Sequence, residues 1–300
     1  MKYLGGRQVL ITGAASGIGR SLALEFASEG CPLVLVDLDP VGLEEVAGQV
    51  AASGVTAERH VIDVTDRSSL DALASGTSPD VLVNCAGIAI MAEIEKTTAE
   101  DWNRIIGVNL MGPINCVAAF LPGMKRKGDA HIVNVASAAG LSALPTLAAY
   151  STTKFGLVGY SEVLDAECAP HGIRVTTVCP GTVDTPILGS GKKGFDAARV
   201  DRGLDLIKPL IFTSPEKLAK KVVSAVKKDR RIMTHTWLFH FLYYLKRLSP
   251  ATVYWIQRVT YRLVRRTLAA NVTKGSDPFV AKVPDPFATA SFFSSRSNER

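Results

Sequence analysis

The fold is decided by residues 9–19, which read VLITGAASGIG. The apolar run at Val9–Thr12 predicts a buried strand, and the pattern that starts at Ile18 predicts a helix. Three glycines lie in the turn between them, spaced GxxxGxG. Glycine lets a backbone bend sharply and approach a bound group closely, and the N-terminus of a helix attracts anions. The segment therefore predicts the first unit of an α/β domain, with a phosphate-binding turn.

Similar apolar, β-branched runs recur along the chain, with helical patterns between them. They lie at residues 33–37, 60–64, 81–85, 131–136, 175–179 and, more weakly, 231–234. Continuous apolar strands that alternate with helices indicate a parallel sheet covered on both faces. We therefore predict an α/β fold with a doubly wound, seven-stranded parallel sheet (Rossmann fold) and right-handed crossovers.

The composition is that of an ordinary globular protein. The chain has 300 residues, of which 47% are hydrophobic and 21% charged, and this excludes collagen-like, disordered and disulfide-scaffold classes. The five cysteines are scattered, with no CxxC pair or Cys/His cluster, so we expect no metal site and a reducing compartment. With no signal peptide and no run of about 18 apolar residues, we expect a cytoplasmic protein without a spanning helix.

The excess of positive charge is concentrated near the C-terminus. Residues 230–270 contain eight Lys or Arg, no Asp or Glu, and eight aromatic side chains. Beyond residue 235 the alternation of strands and helices stops, and Ser249-Pro250 is typical of a helix start. We predict that the Rossmann-fold domain spans residues 1–235. Basic, aromatic amphipathic helices are predicted over residues 236–270, and a loosely ordered tail over residues 271–300.

The second strand ends in an acidic residue that bears on cofactor choice. Asp37 follows Gly19 by 18 residues, where a carboxylate can accept hydrogen bonds from both ribose hydroxyls of an adenosine. The same carboxylate would repel a 2′-phosphate, and neither Ser16 nor the residue after Asp37 supplies a positive charge. The sequence therefore favours NAD over NADP. Asp63 and Val64 are expected to flank the adenine.

Several motifs together resemble the short-chain dehydrogenase/reductase (SDR) family. They are TGAASGIG at residues 12–19, NCAG at residues 84–87, Asn109, Ser137, Tyr150 with Lys154, and Pro180-Gly181. Their order and spacing are similar to those of the family over about residues 7–233, although Cys85 stands where the family usually has a second Asn. The resemblance implies an oxidoreductase that acts on CH–OH groups with NAD, or less readily NADP.

Tyr150 and Lys154 are four residues apart in a helical pattern, so their side chains share one face. An ammonium about 5 Å from a phenol stabilises the phenolate by roughly 3 kcal/mol, so we expect Lys154 to lower the pKa of Tyr150. Tyr150 could then exchange a proton with a carbinol or carbonyl oxygen. The resemblance implies that Ser137 binds that oxygen, that Lys154 also binds the nicotinamide ribose, and that Asn109 supports a water chain to Lys154.

The resemblance also implies that residues 180–185 lie over the nicotinamide, with Thr185 on its carboxamide, and that residues 186–212 form a mobile substrate lid. The predicted catalytic residues are Asn109, Ser137, Tyr150 and Lys154, and the predicted cofactor-binding residues are Gly13, Ser16, Gly17, Ile18, Gly19, Asp37, Asp63, Val64, Asn84, Ala86, Gly87, Tyr150, Lys154, Pro180, Gly181, Val183 and Thr185.

The loop between Ser137 and Tyr150, AAGLSALPTLAA, has no charged side chain. Together with apolar residues in the lid, it favours a lipid-like, sterol-like or isoprenoid secondary alcohol and its ketone as substrates. The alternative is that these apolar residues pack the lid itself. Two other functions remain open: an NADPH-dependent ketone reductase of lipid metabolism, and a non-catalytic, membrane-tethered nucleotide-binding protein.

A helix drawn from Val253 at about 100° per residue separates six aliphatic residues from four arginines, with tyrosines between them. This pattern is typical of a helix in a membrane interface, so we expect peripheral contact of residues 236–268 with the cytoplasmic face of a membrane. Alternatively, the apolar face docks on the domain or on a second subunit. No nucleic-acid module is recognisable, and no nucleic-acid partner is expected. The family resemblance implies a homodimer or homotetramer packed through the helices that carry Asn109 and Tyr150.

Overall fold

The computed structural model describes residues 1–184, 212–234 and 237–269. Seven parallel strands form one sheet in the order β3-β2-β1-β4-β5-β6-β9. The strands of this sheet are β1 (Val9–Thr12), β2 (Leu33–Asp37), β3 (Ala57–Val61), β4 (Val81–Asn84), β5 (Ala130–Val135), β6 (Ile173–Cys179) and β9 (Ile232–Thr234). A separate parallel pair joins β7 (Thr182–Val183) to β8 (Phe212–Thr213). The predicted doubly wound α/β sheet is confirmed, and the small second pair was not predicted.

The described helices are α1 (Gly17–Ser28), α2 (Pro40–Ala51), α3 (Arg67–Gly76), α4 (Ala99–Ile106), α5 (Gly112–Lys127), α6 (Ala148–Cys168), α7 (Pro215–Lys227), α8 (Trp237–Leu248) and α9 (Pro250–Ala269). A π-helical turn, Gly107–Met111, connects α4 to α5.

The strands are apolar throughout because both faces of the sheet are covered. In β1, Val9 and Ile11 pack in one apolar cluster with residues of α1, α2 and α7. Leu10 points to the opposite face, where residues of α5 and α6 complete a second cluster. Successive side chains of a strand alternate between faces, so each strand in the middle of the sheet contributes to both clusters.

The third strand lies earlier in the chain than predicted. It is formed by Ala57–Val61 and not by residues 60–64, and none of its residues is fully buried. β3 is the edge of the sheet, with a partner on one side only, and it carries the polar residues Glu58, Arg59 and His60. A search for continuous apolar runs therefore missed its start. Asp63 and Val64 consequently lie in the loop that follows the strand.

Residues 99–127 form a continuous helical stretch of 29 residues, and an 18-residue window within it has a mean hydropathy of 1.6, so by length and composition alone it would suffice to cross a membrane. It is the one such stretch in the described parts of the chain. Its side chains at Val117, Phe120 and Met124 are buried in the cluster beneath the sheet. The packing is that of a core helix in an α/β domain.

The two C-terminal helices pack against the α/β domain. Tyr243 of α8 packs on a small apolar cluster that includes Leu141 and Leu157, and Val253 of α9 is only 2% exposed. Lys246 lies over the ring of Phe155 on α6, 4.5 Å from its centroid. Docking on the domain, one of the alternatives considered for this segment, is therefore present in the structure. The tail predicted for residues 271–300 lies outside the described residues, and the three-part division of the chain remains a prediction.

The buried His131 generates a prediction about stability and pH. Its ring nitrogen Nε2 pairs with Thr176 Oγ1 at 2.8 Å, and burial lowers its pKa from the ordinary 6.5 to about 3. Below pH 6.5 the unfolded chain therefore binds a proton that the folded chain does not. The free energy of unfolding should fall as the pH drops from 6.5 towards 3.

Urea unfolding at a series of pH values measures this effect. In that range His131→Gln should make the decline less steep by about 1.4 kcal/mol per pH unit, since one titrating group is removed. His171→Gln, at an exposed position, serves as the control and should leave the slope unchanged. Equal slopes for wild type and His131→Gln would contradict this assignment.

Candidate active site

The main cleft lies at the carboxyl ends of the strands, where the strand order reverses between β1 and β4. In doubly wound sheets this crevice is the usual ligand site. Its volume is about 840 Å³. The cleft brings together the turn after β1, the ends of β2 and β4, the turn after β5, helix α6 and the turn after β6.

The turn after β1 is packed so closely that its glycines have no room for a side chain. A Cβ on Gly19 would lie 1.9 Å from the carbonyl oxygen of Gly13, and one on Gly13 would lie 2.8 Å from Cα of Ala86. Gly13 also has a φ of +69°, which favours glycine. Helix α1 begins at Gly17, and the side chain of its N-cap residue Ser16 makes no capping hydrogen bond. This cradle of backbone N–H groups fits the phosphates of a dinucleotide.

Asp37 is held at the edge of this turn by backbone donors. Its carboxylate accepts hydrogen bonds from the N–H of Ala15 at 3.0 Å, of Leu38 at 2.7 Å and of Asp39 at 3.1 Å. Across the cleft, Asn115 donates to the carbonyl oxygen of Val64 at 3.1 Å. The predicted ribose-binding carboxylate and adenine-flanking residues therefore line the same end of the cleft.

The catalytic residues predicted from the sequence meet at the other end. Tyr150 and Lys154 lie on α6, and the Lys154 ammonium donates to the carbonyl oxygen of Val135 at 2.9 Å. The ammonium nitrogen is 5.7 Å from the centroid of the Tyr150 ring. Ser137 follows β5 and hydrogen-bonds Tyr150, and its hydroxyl oxygen also accepts from the N–H of Ala139 at 3.1 Å.

Burial dominates the electrostatics of this group. It raises the pKa of Tyr150, while the hydrogen bond from Ser137 acts in the opposite direction. Burial also lowers the pKa of Lys154 to about 8. The expectation that Lys154 lowers the pKa of Tyr150 below its usual range is therefore wrong for this structure. The phenol is shielded from water, and burial disfavours its charged form more than the neighbouring polar groups favour it.

Asn109 lies in the π-helical turn behind the cleft wall. Its amide oxygen accepts from the N–H of Ile88 at 2.8 Å, and its amide nitrogen donates to the carbonyl oxygen of Ile88 at 2.9 Å and to Thr153 Oγ1 at 3.3 Å. Asn109 thus fixes the backbone of Ile88, which lines the cleft next to Ala89. Its predicted role in a water chain remains a prediction.

Asn84 also stands behind the cleft. Its amide donates to Asn134 Oδ1 at 2.8 Å, and Asn134 in turn donates to Ser161 Oγ at 2.9 Å. The hydroxyl oxygen of Thr12 accepts hydrogen bonds from the backbone N–H groups of Cys85 and Ala86, at 3.1 and 3.2 Å. Sequence reasoning missed the roles of Thr12, Asn134 and Ser161. A polar residue inside an otherwise apolar strand, as at Asn134, was the available signal.

Of the predicted site residues that the structure describes, all line the cleft except Asn84 and Asn109. Thr185 and residues 186–211 of the predicted lid lie outside the described residues. The cleft wall also contains residues that the sequence did not single out as site residues, among them Leu38, Thr65, Ile88, Ala89, Asn103, Arg104, Leu144 and Leu147. Among the described residues, no group of three His, Cys, Asp or Glu side chains could hold a metal ion.

Comparison with known proteins assigns the family. The model of the short chain dehydrogenase family matches residues 7–194. The chain belongs to this family, whose members are oxidoreductases that act on CH–OH groups.

Two curated relatives and one solved structure illustrate the similarity. The probable oxidoreductase EphD of Mycobacterium tuberculosis is 38% identical over 260 residues, and the match covers 83% of this chain but 44% of that protein. The chain therefore spans less than half the length of this relative. D-threitol dehydrogenase of Mycolicibacterium smegmatis is 36% identical over 225 residues, which cover 73% of this chain and 85% of that protein. An SDR from Burkholderia phymatum in complex with NAD superposes with a TM-score of 0.76 at 27% identity, covering 82% of this chain and 95% of the other.

Proposed function

We propose that the protein is an NAD-dependent oxidoreductase that interconverts an apolar secondary alcohol and its ketone. The observation that carries this proposal is the meeting of Tyr150, Lys154 and Ser137 in one cleft with the glycine turn and Asp37. A bound nicotinamide supplies the hydride acceptor or donor. The proton is then handled by side chains of this chain.

In the proposed reaction, the Tyr150 hydroxyl exchanges a proton with the substrate oxygen, and Ser137 donates a hydrogen bond to that oxygen. The raised pKa of Tyr150 makes it a proton donor for ketone reduction at neutral pH. Alcohol oxidation needs the phenolate, so its rate should increase as the pH rises above neutrality. Lys154 holds positive charge near the phenol and is itself fixed by its hydrogen bond to Val135.

Apolar substrates are favoured by the walls beside Tyr150. The nearby lining residues include Ile88, Ala89, Leu144 and Leu147, none of which is charged. Leu144 and Leu147 belong to the loop between Ser137 and Tyr150, which has no charged side chain to pair with a substrate carboxylate or phosphate. We therefore infer a lipid-like, sterol-like or isoprenoid alcohol. This choice of substrate rests on the described part of the cleft alone.

Substitution of the proposed proton donor tests the reaction. Tyr150→Phe should lower kcat for alcohol oxidation by about a hundredfold or more, since the positioned acid–base group is lost, with little change in NADH affinity. Tyr160→Phe, on the same helix but away from the cleft, is the matched control and should retain activity.

The assay follows NADH formation by its near-ultraviolet absorbance, with cyclic and long-chain secondary alcohols as substrates, across a range of pH. A wild-type protein that binds NADH but oxidises no alcohol and reduces no ketone would favour the non-catalytic alternative. Full activity of Tyr150→Phe would contradict the assigned role.

We propose NAD as the preferred cofactor because the Asp37 carboxylate lies at the ribose end of the cleft. NADP carries a phosphate on that ribose, and two negative charges in contact repel each other. Asp37→Asn removes the charge, nearly keeps the size of the side chain, and retains one of the two oxygens that accept from backbone N–H groups. It should shift the ratio of NADP to NAD affinity about tenfold towards NADP.

Asp39→Asn is the matched control. Asp39 caps α2, does not line the cleft, and Asn caps helices equally well. The ratio of the two affinities is measured by fluorescence titration with the reduced cofactors. A wild-type protein that already binds NADPH more tightly would favour the alternative of an NADPH-dependent reductase.

We also propose that the outer surface of α8 and α9 binds an anionic membrane. Five apolar or aromatic side chains there are at least 50% exposed: Phe241, Tyr244, Leu248, Tyr254 and Trp255. The exposed residues Arg247, Arg258 and Arg262 lie on the same two helices, and this segment has no acidic residue. Aromatic side chains flanked by arginines suit the interface of a negatively charged bilayer. The corresponding location is the cytoplasmic face of a membrane.

Vesicle flotation of the full chain tests this surface. Wild type should float with vesicles that contain phosphatidylglycerol and much less with phosphatidylcholine alone. Combining Trp255→Ser with Arg258→Glu should reduce flotation at least about tenfold, since both apolar burial and charge attraction are lost. Lys217→Glu on α7 makes the same charge change at another exposed position and should float normally. Equal flotation of all forms would contradict membrane binding.

Self-association is proposed through α5 and α6. Val163 on α6 and Met111 just before α5 are 56% and 43% exposed, which leaves apolar surface on the helices expected to pair. A homodimer or homotetramer would cover it.

A further inference from the structure

Two loops form the apolar wall of the cleft beside Tyr150. The first loop, residues 88–96, contributes Ile88, and the second loop, residues 141–147, contributes Leu144. The N–H of Ala92 in the first loop donates to the carbonyl oxygen of Thr146 in the second at 2.9 Å. Because both loops border the cleft beside Tyr150, the distance between them sets the width of the substrate end of the cleft.

The second loop contains a strained residue. Thr146 has a φ of +69°, in the left-handed region that a β-branched residue rarely adopts. Such a conformation persists only when the surrounding contacts hold it. Within the domain, the loop is held by the bond from Ala92 and by the bond from the N–H of Leu144 to Ser151 Oγ at 3.2 Å.

Further bonds to the second loop come from the C-terminal helices. Lys246 of α8 donates to the carbonyl oxygen of Leu141 at 3.1 Å. Gln257 of α9 donates to the carbonyl oxygen of Ala143 at 2.6 Å and lies 3.3 Å from Ser142 Oγ, to which it also donates. Three consecutive loop residues are thus held from the side opposite the cleft.

The same face of α9 also reaches the first loop. The Tyr261 hydroxyl donates to Glu93 Oε1 at 3.0 Å. Tyr261 and Gln257 are four residues apart, as are Gln257 and the buried Val253, so these side chains follow one face of the helix. One rigid helix therefore contacts both loops.

We propose that Lys246, Gln257 and Tyr261 form a clasp that fixes the separation of the two loops and so selects alcohols by size. This inference rests on the proposed oxidoreductase function. The three side chains do not line the described cleft. They are positioning residues, which act on the substrate through the two loops: Lys246 and Gln257 through backbone carbonyl oxygens, and Tyr261 through the Glu93 carboxylate.

The clasp is tested first without substrate, by hydrogen–deuterium exchange of the full chain. Gln257→Leu removes the donor at similar size, and Tyr261→Phe removes one hydroxyl. Gln257→Leu should speed exchange about fivefold in peptides that cover residues 141–147, and Tyr261→Phe in peptides that cover residues 88–96, since each loses about one net hydrogen bond. Gln257→Lys retains a donor and should restore slow exchange. Thr260→Ala, at an exposed position of the same helix, should exchange like wild type.

The second measurement is the ratio of kcat/KM for cyclohexanol to that for cyclododecanol. In Gln257→Leu and Tyr261→Phe this ratio should move about fivefold towards unity through KM, since each variant loses one loop contact. The kcat of the better substrate and the NADH affinity should stay unchanged. Gln257→Lys and Thr260→Ala should keep the wild-type ratio.

The outcomes separate the two proposals. If the wild type turns over neither alcohol nor any other tested, the proposed function fails, and faster exchange in the variants would still show that the helix holds the loops. If the wild type is active and the variants change neither exchange nor the ratio, the clasp is overturned. Faster exchange with an unchanged ratio overturns its role in size selection.

Discussion

The site depends on one buried cation and the carbonyl oxygen that satisfies it. Lys154 is only 4% exposed, and its ammonium donates to Val135 at the end of β5. A buried charge without a partner would be costly, so this bond fixes α6 across the end of the sheet. Gly140 makes the approach possible, since a Cβ there would lie 2.6 Å from the carbonyl oxygen of Lys154. Ser137 and Tyr150 are consequently positioned by the core of the fold.

Most of the fold could be predicted because the central strands are buried on both faces. One exception is β3, an edge strand in which Glu58 and Arg59 break the apolar pattern; the other is the short pair of β7 and β8. In the site, residues whose role depends on a local motif, such as Gly13 and Gly19, were found from spacing. The pKa of Tyr150 could not be predicted, since it depends on burial by residues far away in the sequence.

The C-terminal helices show how a helical pattern can hide a contact. Aliphatic residues of α9 define a broad apolar arc, yet the face that meets the loops carries two polar side chains, Gln257 and Tyr261. Their partners are a backbone carbonyl and a carboxylate. Hydrogen bonding therefore determines which face of α9 packs on the domain as much as apolar burial does. Trp255 points to solvent instead and is 57% exposed. The two faces of one helix are thus available for different contacts.

The π-helical turn at Gly107–Met111 has a consequence for how the chain tolerates length changes. A π turn accommodates one more residue than an α-helical turn, and each residue of an α-helix corresponds to a rotation of about 100°. Deleting a single residue here would restore regular winding, but it would turn either Asn109 or the buried face of α5 away from its present neighbours. The π turn therefore sets the helical phase of residues 99–127. Insertions or deletions within this stretch should be tolerated far less than those in surface loops.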